Sequence, residues 1–377
     1  MQNIPVVTIS LINYNDRKFI FKAIESAVKQ SYSNLEIIIT DNKSTDGTRE
    51  EIGEKIEKWE LEREVIAEKA EFQTIKPQII YIKNENNDGF GKPHNQAIRK
   101  SNGEFVLLLN SDALLKSDYV ENAIKIFDNP KVGAVQGKLL RYDFDKDELN
   151  YSKENPDLNV IDTTGLMMLK NRRIVCIGQG DADKGQFEKE NEVFGADGAV
   201  PVYRKSALED VRLPIISGNS SLKKDEECVY EYFDENFFLY KEDVDLAWRL
   251  RLSGWKTIYT PNAIAYHGRG SGDSTAKNYL GIIKERRKIN TRAKYLSFKH
   301  QRLMQIKDDF PSLLFTKHFP RFIVKEVGAW IYMTVFERFT FRILKDLYKD
   351  IPLFIKKRKM VMAKKRVSAK EMEKWFV

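Results

Sequence analysis

Cysteine is nearly absent: Cys176 and Cys228 are the only two in 377 residues, and their spacing is not that of a CxxC metal or redox motif. A disulfide framework is therefore excluded, and both read as small buried apolar residues of a protein kept in a reducing compartment. No run reaches the eighteen or so uncharged residues of a membrane-spanning helix, and the opening Met-Gln-Asn-Ile-Pro lacks the basic start of a secretory signal. A cytoplasmic protein is expected. A dinucleotide fingerprint is missing as well, because Gly89-Phe90-Gly91 is followed by His94 where the third glycine belongs. Those glycines are expected to let the backbone turn sharply or approach a neighbour closely. No glycine-rich loop near the start could cradle a triphosphate, which argues against a nucleotide-sugar synthase.

Charge is present but unevenly spread. The formal net charge is +8, and residues 299–377 hold about nineteen Lys or Arg against about eight Asp or Glu, so they carry the whole excess. The first 298 residues are close to neutral and interleave no aromatic and basic patch, so nucleic acid is not an expected partner. A boundary near residue 298 follows, with a catalytic region at 1–298 and an amphipathic, basic helical region at 299–377.

The most informative stretch is 104–113, Glu-Phe-Val-Leu-Leu-Leu-Asn-Ser-Asp-Ala. Five consecutive apolar residues fit a strand buried on both faces at the centre of a parallel sheet. Asn110, Ser111 and Asp112 then stand at its C-terminal edge, where open α/β sheets bind ligands. Asp112 can hold a hard divalent cation through oxygen; it also fits a cap for the helix that starts near Ser117. Around this strand the chain alternates. Residues 6–12, 35–40, 79–82 and 132–135 read as strands, and 18–30, 49–73, 95–100 and 119–127 as helices. Such alternation predicts an α/β fold with a mostly parallel sheet. Residues 166–169 and 174–177 read as a hairpin in the polar segment 137–191.

A second informative stretch spans 233–251. There Glu242, Asp243 and Asp245 crowd a helix N-terminus, whose dipole favours their ionised forms. An ionised carboxylate held rigidly at a helix start suits a general base, and it equally suits plain N-terminal capping. The strand-like 263–266 delivers His267 into a basic, glycine-rich loop, where it could serve as a structural hydrogen-bond partner or as a ligand.

These residues carry a resemblance. Stretches 6–15, 41–47, 87–95, 107–113, 194–199 with Tyr203-Arg204, and 233–267 resemble the inverting GT-A glycosyltransferases of family 2, and are most similar to their rhamnosyltransferase-like branch. Segments 161–166, 300–309 and 356–376 are similar to that branch too, so the likeness spans nearly the whole chain. It implies a GT-A fold: a Rossmann-like, mostly parallel central sheet flanked by helices, here with a C-terminal helical, basic extension. It further implies transfer of a sugar, with inversion, from a nucleotide-diphospho-sugar to a hydroxyl of a glycan or polyprenyl-linked acceptor in cell-surface polysaccharide synthesis. By branch likeness the donor is dTDP-rhamnose first, with UDP- or GDP-hexoses as alternatives; a non-catalytic nucleotide-sugar-binding protein is the alternative from another class.

The resemblance also implies roles. Asn13 and Tyr14 would pack the base and Asp41 would read its edge. Gly89, Asn110, Ser111 and Asp112 would complete the donor site, with Asp112 as the last position of the family's Asp-x-Asp metal motif and Asn110 in place of its first Asp. Mg²⁺ or Mn²⁺ would be held by Asp112 and His267. Asp243, in the Glu242-Asp243 pair, would be the catalytic base, with Asp197 and Gly198 on the acceptor side. Arg302 would reach the diphosphate, although His300-Gln301-Arg302 departs from the branch's usual pattern there. Residues 49–78 are longer than the family's usual helix and loop. Residues 322–354 set apolar side chains at near-helical spacing among Lys and Arg. This is a face for an anionic membrane surface or for packing on the catalytic region.

Overall fold

The computed structural model describes residues 4–69, 77–149, 158–216, 229–268, 279–315 and 317–377. Its centre is a mixed, mostly parallel sheet. Strands β1 (Val7–Asn13), β2 (Leu35–Asp41), β3 (Gln78–Lys83) and β4 (Phe105–Leu109) lie in the order β3-β2-β1-β4, each parallel to its neighbour. The runs of Val, Ile and Leu in β1, β2 and β4 are buried from both sides, completely so in β2 and β4, whereas the edge strand β3 is only partly covered. Helix Ile20–Val28 lays Ile20, Ala23, Ile24 and Ala27 on one face of the sheet, the stripe that its spacing predicts. Helix Gly91–Lys100 starts four residues earlier than the pattern suggests, so His94 lies inside it, buried, with Nδ1 2.8 Å from Ser10 Oγ.

Beyond β4 the sheet departs from expectation. Strand Pro201–Arg204 runs antiparallel both to β4 and to the twelve-residue β6 (Val132–Asp143), so β4 has one parallel and one antiparallel neighbour. An apolar run records burial, not the direction of the partner. β6 extends eight residues past the four that read as strand, because its polar residues are buried with partners. Gln136 Oε1 accepts the Asp197 N–H at 2.7 Å, and Lys138 is paired with Asp183 at 3.0 Å. The long strand Lys256–His267 runs parallel to β6, shifting register between Thr260 and Ile264. The three-residue β5 (Ala113–Leu115) pairs antiparallel with its end, setting His267 opposite Ala113.

The C-terminal helices Thr291–Asp308, Phe319–Tyr332 and Thr340–Lys364 pack on this body. The boundary expected after residue 298 falls inside the first of them. One apolar core runs across it, in which Leu166, Phe237 and Trp248 pack with Phe298, Leu303, Phe354 and Phe376. The chain end adds main-chain bonds, the Val377 N–H to Met168 O at 3.0 Å and the Lys170 N–H to Val377 O at 2.8 Å. The pattern at 322–354 is broken into two helices by a π-helical turn, Met333–Glu337, and by Arg338 in the left-handed region at φ +54°. The expected hairpin at 166–177 is present, as strands Leu166–Met168 and Ile174–Cys176.

Candidate active site

Parallel strands end at one edge, and the register Asn13↔Asp41 together with Leu11↔Leu109 brings three polar strand ends side by side. They border a hollow of about 400 Å³ lined by Tyr14, Asp16, Asn42, Gly89, Ser111 and Asp112 among others. Gly89 is required here. Its φ is +77°, and a Cβ would lie 2.0 Å from the Phe238 carbonyl oxygen, which also accepts the Phe90 N–H at 3.0 Å. That contact fastens the loop before helix Gly91–Lys100 to the segment that leads into the Glu242-Asp243 pair.

Asn13 and Asp41 are both fully buried. Asp41 accepts from Asn13 Nδ2 at 2.8 Å, from the Ser44 N–H at 3.0 Å and from Arg49 at 3.2 Å. In this state Asp41 braces the loop beneath the hollow rather than presenting a free edge to a base. Asp16, which the sequence reading does not single out, lines the hollow and accepts from Ser111 Oγ at 2.6 Å. Burial pushes its carboxyl up, Ser111 partly offsets this, and Asp112 adds to it.

Asp112 and His267 meet because β5 pairs with the end of Lys256–His267. His267 Nε2 lies 3.3 Å from Asp112 Oδ1, its Nδ1 lies 2.8 Å from Asp162 Oδ2, and the Gly268 N–H donates to Asp112 O at 2.8 Å. Burial lowers the imidazole, but Asp112 and Asp162 outweigh it and push His267 up to about 10. Burial likewise raises Asp112, and His267 more than reverses this, holding it below the usual carboxylate range. With the Nε2 proton of His267 displaced, as metal binding requires, the set fits a divalent cation. A carboxylate oxygen and an imidazole nitrogen converge, and the second ring nitrogen is fixed by a carboxylate, the usual support for a metal-bound histidine. Because Asp162 sits behind the ring, the chain offers two ligands there, and among the described residues no cluster of three or more candidate ligands occurs. A hard cation at such a site completes its shell with phosphate oxygens and water. Asp162 had been singled out only within a resembling stretch; nothing in its own spacing pointed to His267.

Helix Glu242–Leu252 begins after Tyr240 and Lys241, both in the left-handed region at φ +69° and +81°. Its three leading carboxylates are not equivalent, and the expectation that the dipole keeps all of them ionised is corrected. Asp245 is fully buried and accepts from Arg249 Nε at 2.9 Å. Glu242 is 5% exposed, its Oε2 has no hydrogen-bond partner, and burial together with Asp243 pushes it well above the carboxylate range. Asp243 is half-buried and accepts the Val244 N–H at 2.8 Å; burial and then Asp197 raise it, and Lys241 partly offsets them. A helix dipole contributes about 0.3–1 kcal/mol, less than the desolvation of a buried carboxylate.

Asp197, Gly198, Glu242, Asp243, His267 and Ser297 are among the residues around a second hollow of about 290 Å³. Phe90, Asn110 and Leu239 line both hollows, and His267, 3.3 Å from Asp112, lines the second with Asp243, so Asp112 and Asp243 border adjoining hollows. Gly198 lies against the base candidate: a Cβ there would stand 3.3 Å from Asp243 Cβ.

Arg302 is not in this cleft, contrary to the role the resemblance implies. It pairs with Glu326, stacks on Phe298 with its guanidinium carbon 3.3 Å from the ring centroid, and lines a separate groove on the C-terminal helices. The cause is helical phase. His300 faces the cleft side, 3.0 Å from the carbonyl oxygens of Leu239 and Tyr240, and a residue two positions on points the other way.

With this geometry in place, the comparisons with known proteins become readable. The Escherichia coli UDP-Glc:alpha-D-GlcNAc-diphosphoundecaprenol beta-1,3-glucosyltransferase WfaP is 30% identical over 128 residues, 34% of this chain and 43% of that one. The Staphylococcus aureus (strain COL) poly-beta-1,6-N-acetyl-D-glucosamine synthase is 24% identical over 334 residues, 87% of this chain and 63% of the relative. In structure, GalNAc-T7 with UDP, GalNAc and Mn²⁺ superposes with a TM-score of 0.55 at 9% identity, covering 94% of this chain and 58% of the other, a likeness of fold. Each of these matches covers less than two thirds of the other protein. The architecture is the expected GT-A type, an α/β body with a mostly parallel sheet and C-terminal helices. Residues 8–212, more than half of the chain, match the family described as Glycosyl transferase family 2, and the chain belongs to that family.

Proposed function

We propose that this protein is an inverting, cation-dependent glycosyltransferase that moves a sugar from a nucleotide-diphospho-sugar to a hydroxyl of a glycan or polyprenyl-linked acceptor. The supporting observation is the pair of adjoining hollows in which Asp112 meets His267 and His267 shares a lining with Asp243. Two relatives, a glucosyltransferase and a poly-N-acetylglucosamine synthase, favour a role in polysaccharide synthesis.

In this reading Tyr14, Gly89, Asn110 and Ser111 line the donor's place, and Asp112 with His267 orients its diphosphate. Mg²⁺ or Mn²⁺ there would supply Lewis-acid stabilisation of the charge growing on the leaving diphosphate. Asp243 takes the proton of the acceptor hydroxyl while that oxygen bonds to the anomeric carbon from the face opposite the diphosphate. The glycosidic C–O bond to the nucleotide breaks with its electron pair, and the configuration inverts. A base works best when its pKa approaches the working pH, so the upward displacement of Asp243 suits the task. Asp197 and Gly198 shape the acceptor side, and Glu242, whose carboxyl burial and Asp243 raise well above the usual range, lines the same hollow.

Among donors dTDP-rhamnose comes first, by likeness to the rhamnosyltransferase branch, and UDP- and GDP-hexoses follow. The test is thermal stabilisation across a panel of dTDP-, UDP- and GDP-sugars with and without Mn²⁺, followed by transfer from the best donor and assignment of the product's anomeric configuration. An inverted product made only with the cation is expected. A retained configuration, or donor binding with neither transfer nor hydrolysis, would overturn the reading.

A further inference from the structure

Helix Thr340–Lys364 has two apolar stripes. Ile343, Leu347, Phe354 and Val361 are buried in the core shared with the rest of the chain. On its outer side Phe341, Leu344, Tyr348 and Ile355 recur at seven-residue spacing or close to it, and Phe341 and Tyr348 are 90% and 86% exposed. The neighbouring helix Phe319–Tyr332 and the turn after it repeat this with Val324, Val327, Ile331 and Val335, all exposed. Between the two helices lies a groove of about 800 Å³, with Ile323, Val327 and Ile331 on one wall and Leu347 and Ile351 on the other. An apolar surface of this extent, continuous over two helices, is unusual for a face that meets only water.

Charge says what covers it. The acids of this segment are turned inward onto partners from the preceding helices. Glu326 pairs with Arg302, Glu337 with Arg286 at 2.7 Å and Asp350 with Lys299 at 2.6 Å, while Asp346 accepts from the Tyr295 hydroxyl. The exposed charged residues from 317 to 349 are Lys317, Arg321, Arg338, Arg342, Lys345 and Lys349, all cationic. A second copy of this chain would set cation against cation, which disfavours self-association. Apolar side chains framed by lysine and arginine match the boundary of an anionic bilayer, where the first enter the acyl region and the second meet the headgroups. Among the described residues no helix is long and apolar enough to cross a membrane, so the contact lies in the plane of the interface.

We infer that the outer face of helices Phe319–Tyr332 and Thr340–Lys364 docks on an anionic phospholipid bilayer. This binding does not depend on the proposed function. Its consequence does: Ser297 lines the acceptor-side hollow and Arg302, on the same helix, lines the groove, so docking would hold the cleft one helix away from a membrane-borne acceptor.

The test is flotation of the full chain with vesicles of phosphatidylcholine alone and of phosphatidylcholine with phosphatidylglycerol. Binding to the second kind only, weakening with salt, is expected. Lys345→Glu with Lys349→Glu should weaken it at least tenfold, since each cation near such a surface is worth about fivefold. Phe341→Ser with Tyr348→Ser should weaken it as well, and the melting temperature of both variants should stay unchanged because these side chains are exposed. Absence of binding to the anionic vesicles at low salt, undiminished binding of the charge-reversed variant, or a dimer in light scattering that the same variant abolishes would overturn the inference. Sugar transfer to a water-soluble acceptor is read in a separate assay, so failure here and failure of the proposed function remain distinct.

Discussion

Helix Glu242–Leu252 carries carboxylates toward two sides, and their surroundings are opposite. On the inner side Asp245 meets Arg249 and Lys307, Asp234 meets Lys307 and Lys357, and Glu231 meets Lys357; apart from a trace of surface, all are buried. Burial raises Asp234, yet the two lysines outweigh it and hold it far below the carboxylate range, whereas burial and Asp234 push Glu231, which has Lys357 alone, up to about 7. On the cleft side burial raises both Glu242 and Asp243, Asp243 adds to the first and Asp197 to the second, and Lys241 offsets only part of this. The inner group is a clamp. Lys307 and Lys357 come from the two longest C-terminal helices and fasten them under the start of the helix that carries Asp243. Carboxylates matched by cations hold structure, whereas those kept without a matching cation are disposed for proton transfer.

Removing a clamp cation should give the largest effect. Lys307→Ala leaves Asp234 and Asp245 buried with one cation fewer and is expected to cost about 3–5 kcal/mol in urea unfolding. A loss under about 1 kcal/mol would put the clamp on a par with an exposed ion pair and erase the contrast.

The cleft side is sharpened by pH. Because Asp243 must be ionised to accept a proton and its carboxyl is raised, the acid limb of kcat/KM should lie above the ordinary aspartate range. Asp197→Asn removes a negative neighbour, so it should move that limb to lower pH; an unmoved limb would separate Asp197 from the base. A smaller effect is expected of Gly198→Ala. The new methyl would press on Asp243 Cβ at 3.3 Å, and a displacement of a few tenths of an ångström should lower kcat roughly tenfold with little change in melting temperature. The smallest is Arg302→Ala, which should leave donor affinity measured by calorimetry unchanged, since Arg302 lines the other groove. A drop in affinity would return it to the diphosphate.

Much of this site is legible in the sequence where it is local and periodic. The apolar run of β4 with its polar end, and the alternation that places Asn13, Asp41 and Asp112 at one edge, follow from patterns a few residues long. The meeting of Asp112 and His267 is not legible in that way. It depends on the three-residue β5 meeting a strand end some 150 residues later, and so short a strand carries no period. Asp162 is hidden for the same reason, as its role is defined by a ring brought from Lys256–His267. The Glu-Asp-x-Asp run shows where carboxylates gather but not their charge states, because the deciding cations, Lys307 and Lys357, arrive from distant helices. Arg302 is a different case: its place in the other groove follows from helical phase once the fold sets His300 against the carbonyls of Leu239 and Tyr240.

The central claim is that Asp243 acts in the chemical step and not in holding the donor. The direct measurement is the transfer rate of Asp243→Asn beside its donor affinity in the presence of Mn²⁺. Turnover should fall by about 10²–10⁴-fold while the donor Kd stays at the wild-type value. Near-normal turnover, or donor affinity lost together with turnover, would contradict it.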